Sequence, residues 1–275
     1  WSTDFENMLV DIYKPKKSEF NLGDIKENFA YLFVGHWLQG ALGEDRKNVG
    51  LMIKSFLEAF KNRKNTPALI LKISKGQASY LDRDDVLNSI EEIKKTIKDA
   101  RSLPSIYLLH GEVSDKEINE LYNHKKVKAM VSLTKGEGFG RPLLEFSLTK
   151  KPIIATNWSG HLDFLDPEFT TLITGELTPV HDSAVVKDMI LKESQWFSAN
   201  PGEFMYYLRD VFENYKGYKE KANRQAFKSK SNFSFEQMKK CLDELLSARL
   251  PEFPKTVPLN LPKLNLPKIK KLENV

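Results

Sequence analysis

Val127-Lys-Ala-Met-Val-Ser-Leu133 is followed by Thr134-Lys-Gly-Glu-Gly-Phe-Gly140 and then by Arg141-Pro-Leu-Leu-Glu-Phe-Ser-Leu148. The first piece is a short apolar run, the pattern of a strand buried on both faces. The second is a glycine-rich turn. The third predicts a helix over Pro142–Leu148, since proline suits the first helical turn, where its missing N–H costs nothing. A strand that hands the chain directly to a helix is the repeating unit of a parallel sheet.

The unit recurs on both sides. Upstream, Tyr31–Val34 reads as a first strand ending at Gly35, with Ala68–Ile73 and Ser105–Leu109 as the second and third. Val49, Met52, Ile53, Phe56, Leu57 and Phe60 recur at steps of three and four, which predicts an amphipathic helix over Arg46–Lys61. Val86–Ile97 carries another helical pattern, and Ser114-Asp-Lys-Glu117 is a capping box opening a helix through Tyr122. Downstream, Pro152–Thr156 is a fifth strand and Thr170–Ile173 a sixth. Apolar strands alternating with amphipathic helices predict an α/β fold, a doubly wound, Rossmann-like parallel sheet of about six strands. From residue 203 onward the pattern is helical only, over 203–215, 217–230 and 234–248. The expected organisation is a linker over 1–28, the Rossmann-like domain over 29–200, C-terminal helices over 201–249 and an extended tail over 250–275.

Composition excludes several classes. The 275 residues are 41% hydrophobic and 29% charged, enough to bury a core. The single cysteine, Cys241, rules out a disulfide framework; a reducing, cytoplasmic setting is expected, and the helical context of Cys241 predicts that it is buried. No apolar run nears the roughly 20 residues that cross a bilayer. Net charge is +5, but five lysines (Lys255, Lys263, Lys268, Lys270, Lys271) against Glu252 and Glu273 put +3 of it in the tail. The remaining body is too nearly neutral for a nucleic-acid groove. The tail also holds five of the 13 prolines and the repeats Leu259-Asn-Leu-Pro-Lys263 and Leu264-Asn-Leu-Pro-Lys268, which forbid a helix. It is either a linker or a strap that docks a protein partner through its leucines.

In doubly wound folds ligands sit at the carboxyl ends of the strands. The turn after the fourth strand leaves backbone bare at a helix start, where unpaired N–H groups favour phosphate or an oxygen-rich ligand. Glu137 precedes that helix and Glu145 lies about one turn into it. Two acceptor-only groups suit the hydroxyls of a sugar and of a ribose. Without such a ligand the segment is an ordinary strand-to-helix turn. Arg46 and Lys47 stand at the predicted start of the first helix, where each cation opposes the macrodipole by about 0.3–1 kcal/mol, partly offset by Asp45 as a possible N-cap. A bound diphosphate turns that conflict into attraction; otherwise the two are solvated surface cations. The five histidines show no metal-site spacing and no Asp-x-Asp pair stands out, so metal-independence and no cofactor are expected. The aromatics Trp196, Phe197, Phe204, Tyr206 and Tyr207 read as helix packing.

Glu137 to Glu145 spells Glu-Gly-Phe-Gly-x-Pro-x-x-Glu, a Glu-x7-Glu motif. It resembles the signature of retaining, nucleotide-sugar-dependent glycosyltransferases of the GT-B fold. His110-Gly-Glu-Val-Ser-Asp115 is similar to that family's Gly-x-Val-x-Asp stretch after strand three. Pro152–Thr156 with Trp158-Ser-Gly-His-Leu-Asp-Phe164 is similar to its run after strand five. Phe33-Val-Gly35 with Arg46-Lys-Asn48 resembles its first phosphate loop, and Val10-Asp-Ile-Tyr-Lys-Pro15 its interdomain linker. Two stretches depart from the pattern: His36 stands where many members have Arg after the loop glycine, and Leu71–Gly76 where many have a Gly-Asx-Gly turn.

The resemblance covers residues 10–175 and implies the carboxy-terminal, donor-binding half of an enzyme that transfers a hexose from a nucleoside diphosphate sugar to an acceptor, with retention. In that family reading Glu137 contacts the transferred hexose, and the amides of Gly138, Phe139 and Gly140 contact its hydroxyls or the phosphate. Glu145 holds the ribose hydroxyls. Lys47, with Arg46, neutralises the leaving diphosphate. Gly35, His36, Gly111 and Leu144 complete the donor-binding set, the base lying against the Leu109–Val113 strand end. An amino-terminal half carrying the acceptor site is expected before Trp1, with an exposed apolar face on the last helix as a consequence. Two alternatives stay open: a non-catalytic, partner-binding domain of the same fold, and a glycan synthase or phosphorylase.

Overall fold

The computed structural model describes residues 21–250 apart from Gln39, Ala41 and Gln77. Six strands form one sheet: β1 (Ala30–His36), β2 (Ala68–Ser74), β3 (Ile106–Leu109), β4 (Val127–Ser132), β5 (Ile153–Thr156) and β6 (Thr171–Ile173). Their order is β3-β2-β1-β4-β5-β6, and every neighbouring pair is parallel. The helices are α1 (Val49–Phe60), α2 (Tyr80–Lys95), α3 (Asp115–Asn123), α4 (Arg141–Ser147), α5 (Pro201–Glu213), α6 (Tyr215–Asn232) and α7 (Phe235–Arg249). This is the doubly wound, Rossmann-like sheet that the alternating pattern predicts.

Side chains leave successive strand residues on opposite faces, and both faces here are apolar. On β1, Tyr31 and Phe33 join the core with Met52, Phe56 and Phe60 of α1 and Phe204 and Leu208 of α5. Ala30 and Leu32 join the opposite core with Leu121 and Tyr122 of α3 and Leu143 and Phe146 of α4. Burial on both faces is why the strands read as continuous apolar runs. Leu22 and Ile25, within the stretch expected to be a linker, are buried in the second core.

Several expectations need correction. The first helix starts at Val49, because Asn48 is left-handed (φ 55°, ψ 35°) and a right-handed helix cannot contain it. Arg46 and Lys47 therefore lie in the turn before α1 and do not oppose its dipole from within. The second helix begins at Tyr80, capped by the Ser79 side chain, which accepts the Asp82 N–H. Trp196 and Phe197 belong to a strand: β7 (Gly175–Pro179) and β8 (Gln195–Ala199) form a separate antiparallel hairpin. Tyr206 is exposed, whereas Phe204 is fully buried as expected. Cys241 is exposed on α7, not buried.

From Lys240 onward the chain is a unit of its own, in which Leu242, Leu245 and Leu246 of α7 are exposed. The Val10–Pro15 stretch and the proline-rich tail fall outside the described residues. No described helix is long and apolar enough to cross a membrane.

Candidate functional site

The strand order reverses direction between β1 and β4: β2 and β3 lie to one side, β5 and β6 to the other. Such a switch point opens a crevice at the carboxyl ends of the strands, because the two connecting chains leave in opposite directions. The loop after β1 brings Arg46 and Lys47 to it, and the loop after β4 brings Glu137. Lys47 Nζ makes an ion pair with the Glu137 carboxylate, both side chains 13% exposed. Arg46 Nη1 lies 3.7 Å from the same carboxylate and donates to the Gly136 carbonyl at 2.7 Å. Burial pushes the Lys47 ammonium down from its usual range, and Glu137 beside it opposes that shift.

The two loops are stitched together by backbone. The Lys135 N–H donates to the Arg46 carbonyl at 2.8 Å. Lys135 Nζ is paired with Glu44 at 3.0 Å, and Thr156 Oγ1 donates to the Thr134 carbonyl at 2.9 Å. Asp45 is completely buried; its Oδ2 accepts the Val49 N–H at 3.2 Å, so it caps α1 from three residues upstream of the N-cap position. Burial raises its carboxyl pKa.

The glycines form an open shelf. A Cβ added at Gly136 or Gly138 meets nothing within 4 Å, and Gly138 is exposed. Gly140 is the N-cap of α4 in the left-handed region (φ 88°, ψ 47°), with Pro142 in the first turn as expected. Phe139 packs with its ring tilted against Phe164 and Phe233, ring centroids 5.3 and 6.1 Å apart.

Glu145 is not an open acceptor. It is buried, its Oε1 taking a 2.5 Å hydrogen bond from Arg141 Nε and its Oε2 a 3.2 Å bond from the Tyr122 hydroxyl. Burial raises its pKa, and both hydrogen bonds work against that rise. A ribose would have to share these oxygens. Leu144 of α4 is fully buried in the core, and its N–H donates to the Gly140 carbonyl at 3.2 Å. His36 is exposed at the end of β1, with Nδ1 3.3 Å from Ser74 Oγ. Gly35 is half-buried, with the Lys47 stem 3.9 Å from where its Cβ would be. Gly111, at φ 105°, has open space around it, and its carbonyl accepts from Lys72 Nζ at 2.7 Å. Lys72 thus ties β2 to the loop after β3.

Two residues of the run after β5 receive no role of their own in the sequence reading. Ser159 holds the Glu137 backbone through its side chain. His161, fully buried, donates Nε2–H to the Thr156 carbonyl at 2.7 Å, and burial lowers its pKa. Neither carries a distinctive spacing. A cavity of about 680 Å³ lies elsewhere, beside α2, lined by Trp37, Leu38, Leu42, Lys75, Asp85 and Ser89 among others; Arg46, Lys47, Glu137 and Glu145 do not line it. Among the described residues no group of three His, Cys, Asp or Glu side chains is placed to hold a metal ion.

A six-stranded doubly wound sheet with an open glycine shelf beside Arg46, Lys47 and Glu137 at its switch point defines an α/β domain of the Rossmann-like class. The chain belongs to the family described as glycosyl transferases group 1, whose model matches residues 43–194, more than half of it. By structure it is similar to a glycosyltransferase from Rickettsia africae (TM-score 0.57, 16% identity, 88% of this chain and 54% of that one). It is also similar to the C-terminal domain of the group 1 glycosyl transferase LpcC from Francisella tularensis (0.54, 15%, 81% and 96%). A third is Anabaena HepE, solved with UDP and glucose (0.53, 14%, 81% and 49%). The chain therefore spans about half the length of the Rickettsia and Anabaena proteins and nearly all of the LpcC domain. No curated protein sequence matches it.

Proposed function

We propose that this chain is the donor-binding part of a retaining hexosyltransferase that takes its sugar from a nucleoside diphosphate. One observation carries the reading: Lys47 and Arg46 meet Glu137 beside the open glycine shelf, at the switch point of a glycosyl transferase fold. A diphosphate on the shelf exchanges the Glu137 carboxylate for phosphate oxygens around the two cations, which leaves Glu137 to accept from sugar hydroxyls. Arg46 brings a planar fork and Lys47 a point charge. As the glycosidic C–O bond to phosphate breaks, negative charge grows on the leaving oxygen, and fixed cations favour that state over the ground state. The acceptor oxygen bonds to the anomeric carbon on the same face, and its proton passes to the leaving phosphate oxygen. This route uses neither a protein nucleophile nor a metal. The acceptor site belongs to a partner half, and the HepE complex with UDP and glucose supports the ligand class.

Calorimetric titration of the 275-residue chain with UDP- and GDP-sugars tests the reading. Binding with a Kd on the order of micromolar is expected, abolished in Lys47→Ala and in Glu145→Ala. Absence of binding to every nucleotide overturns it in favour of a partner-binding domain.

A further inference from the structure

Ser159 has φ 86° and ψ −169°, a backbone conformation open in practice only to glycine. It sits in the loop after β5, between Trp158 and Gly160, and that loop is pressed against the loop after β4. A Cβ on Gly160 would lie 2.1 Å from the Gly138 carbonyl oxygen, so the approach there is backbone to backbone. Glycine at 159 would fit the same path without strain. A serine survives in such a place only where its side chain returns something.

What it returns is a two-point grip on one residue. Ser159 Oγ donates to the Glu137 carbonyl at 2.6 Å and accepts the Glu137 N–H at 3.0 Å. The Gly160 N–H adds a 3.0 Å bond to the same carbonyl. Both backbone polar groups of Glu137 are thereby fixed by the neighbouring loop. On the opposite side its carboxylate is held by Lys47. Glycines flank it on either side, and Gly138 lacks a side chain to anchor the segment.

We infer that Ser159 is a positioning residue: its strained backbone and hydroxyl set the place of Glu137, and through Glu137 the recognition of the transferred sugar. This rests on the reading of Glu137 given under the proposed function. The hydroxyl touches no reacting atom; it acts by keeping the acid in register with Lys47 and the shelf, where a misplacement of an ångström weakens every bond to a sugar hydroxyl.

Two variants of the full chain separate this role from simple support of the fold. Ser159→Ala removes the hydroxyl and keeps the strain, whereas Ser159→Gly removes both. Ser159→Gly is expected to melt at least about 3 °C above Ser159→Ala, because only it relieves the backbone. Both are expected to bind UDP-glucose or GDP-mannose, whichever the wild type takes, about tenfold more weakly, while affinity for UDP or GDP alone stays within about twofold. A role limited to stability predicts that Ser159→Gly binds the sugar nucleotide as well as wild type does. Sugar-nucleotide affinity unchanged in Ser159→Gly overturns the inference, as does an equal loss for nucleotide and sugar-nucleotide. If the wild type binds no nucleotide, the parent reading falls, and amide hydrogen exchange then decides the grip itself. Exchange of the Glu137 N–H is expected to quicken about tenfold in Ser159→Gly, and unchanged exchange removes the grip.

Discussion

At the scale of single residues, burial outweighs every other influence on the lysine at the opposite end of the sheet from the glycine shelf. Lys151 donates from Nζ to the carbonyls of Tyr122 at 2.5 Å and His124 at 3.0 Å, at the carboxyl end of α3, where a helix favours a cation. Even so, burial, with Lys128 and Lys219 nearby, lowers its pKa from the ordinary 10.5 to about 7. The folded chain therefore releases this proton before the unfolded chain does. Between those two values the unfolded state binds more protons, so stability must rise with pH, by up to about 1.4 kcal/mol per pH unit. Lys151→Met lacks the group in both states. Urea denaturation of both proteins at pH 6.5 and 9.5 measures the difference: wild type is expected to gain on the variant at the higher pH. Parallel behaviour would show that Lys151 stays charged in the fold.

Elements differ in how far their own residues announce them. The capping box over Ser114–Glu117 is visible in sequence and is found as read: the Ser114 hydroxyl accepts the Glu117 N–H, and the Glu117 carboxylate accepts the Ser114 N–H at 2.7 Å. Ser114→Ala is expected to destabilise the chain by about 1 kcal/mol, measured as a lower urea midpoint at unchanged slope. The six strands were equally legible: β1, β2, β4 and β5 are largely buried on both faces, which leaves an apolar run, and the partly buried β3 and β6 are still short and mostly apolar. The start of α2 was not, since Tyr80 and Leu81 are exposed and the apolar period begins only at Val86; Ser79 was the available signal. The β7–β8 hairpin left no trace either. Gly175, Glu176 and Leu177 are exposed and Leu177 pairs with Phe197 across a long connection, so neither alternation nor a tight turn marks it. For α1, nothing in the apolar spacing reveals that Asn48 is left-handed, and three residues were assigned to the start of the helix in excess.

For the molecule as a whole, the informative fact is that the candidate site joins residues about 90 positions apart through the strand order. Motif spelling placed Glu137 and Glu145 together, and the sheet places Glu137 with Arg46 and Lys47. The hydrogen bonds that close Glu145 off depend on α3 lying against α4, which no local spacing encodes. That organisation sets where a ligand's effect must fall. Hydrogen exchange of the full chain with saturating UDP-glucose or GDP-mannose is expected to slow in the loops after β1, β4 and β5, at 37–48, 133–140 and 157–160. The Lys151 end of the sheet should be unchanged, since no loop of the switch point reaches it. The cavity lined by Trp37, Lys75 and Asp85 offers the competing outcome. Protection of α2 and of residues 75–96, with 133–140 unaffected, would place the ligand there and detach the Glu-x7-Glu segment from binding. Protection at 133–140 together with 44–48, lost in Lys47→Ala, is the outcome expected of one diphosphate held by Lys47 where the two loops meet.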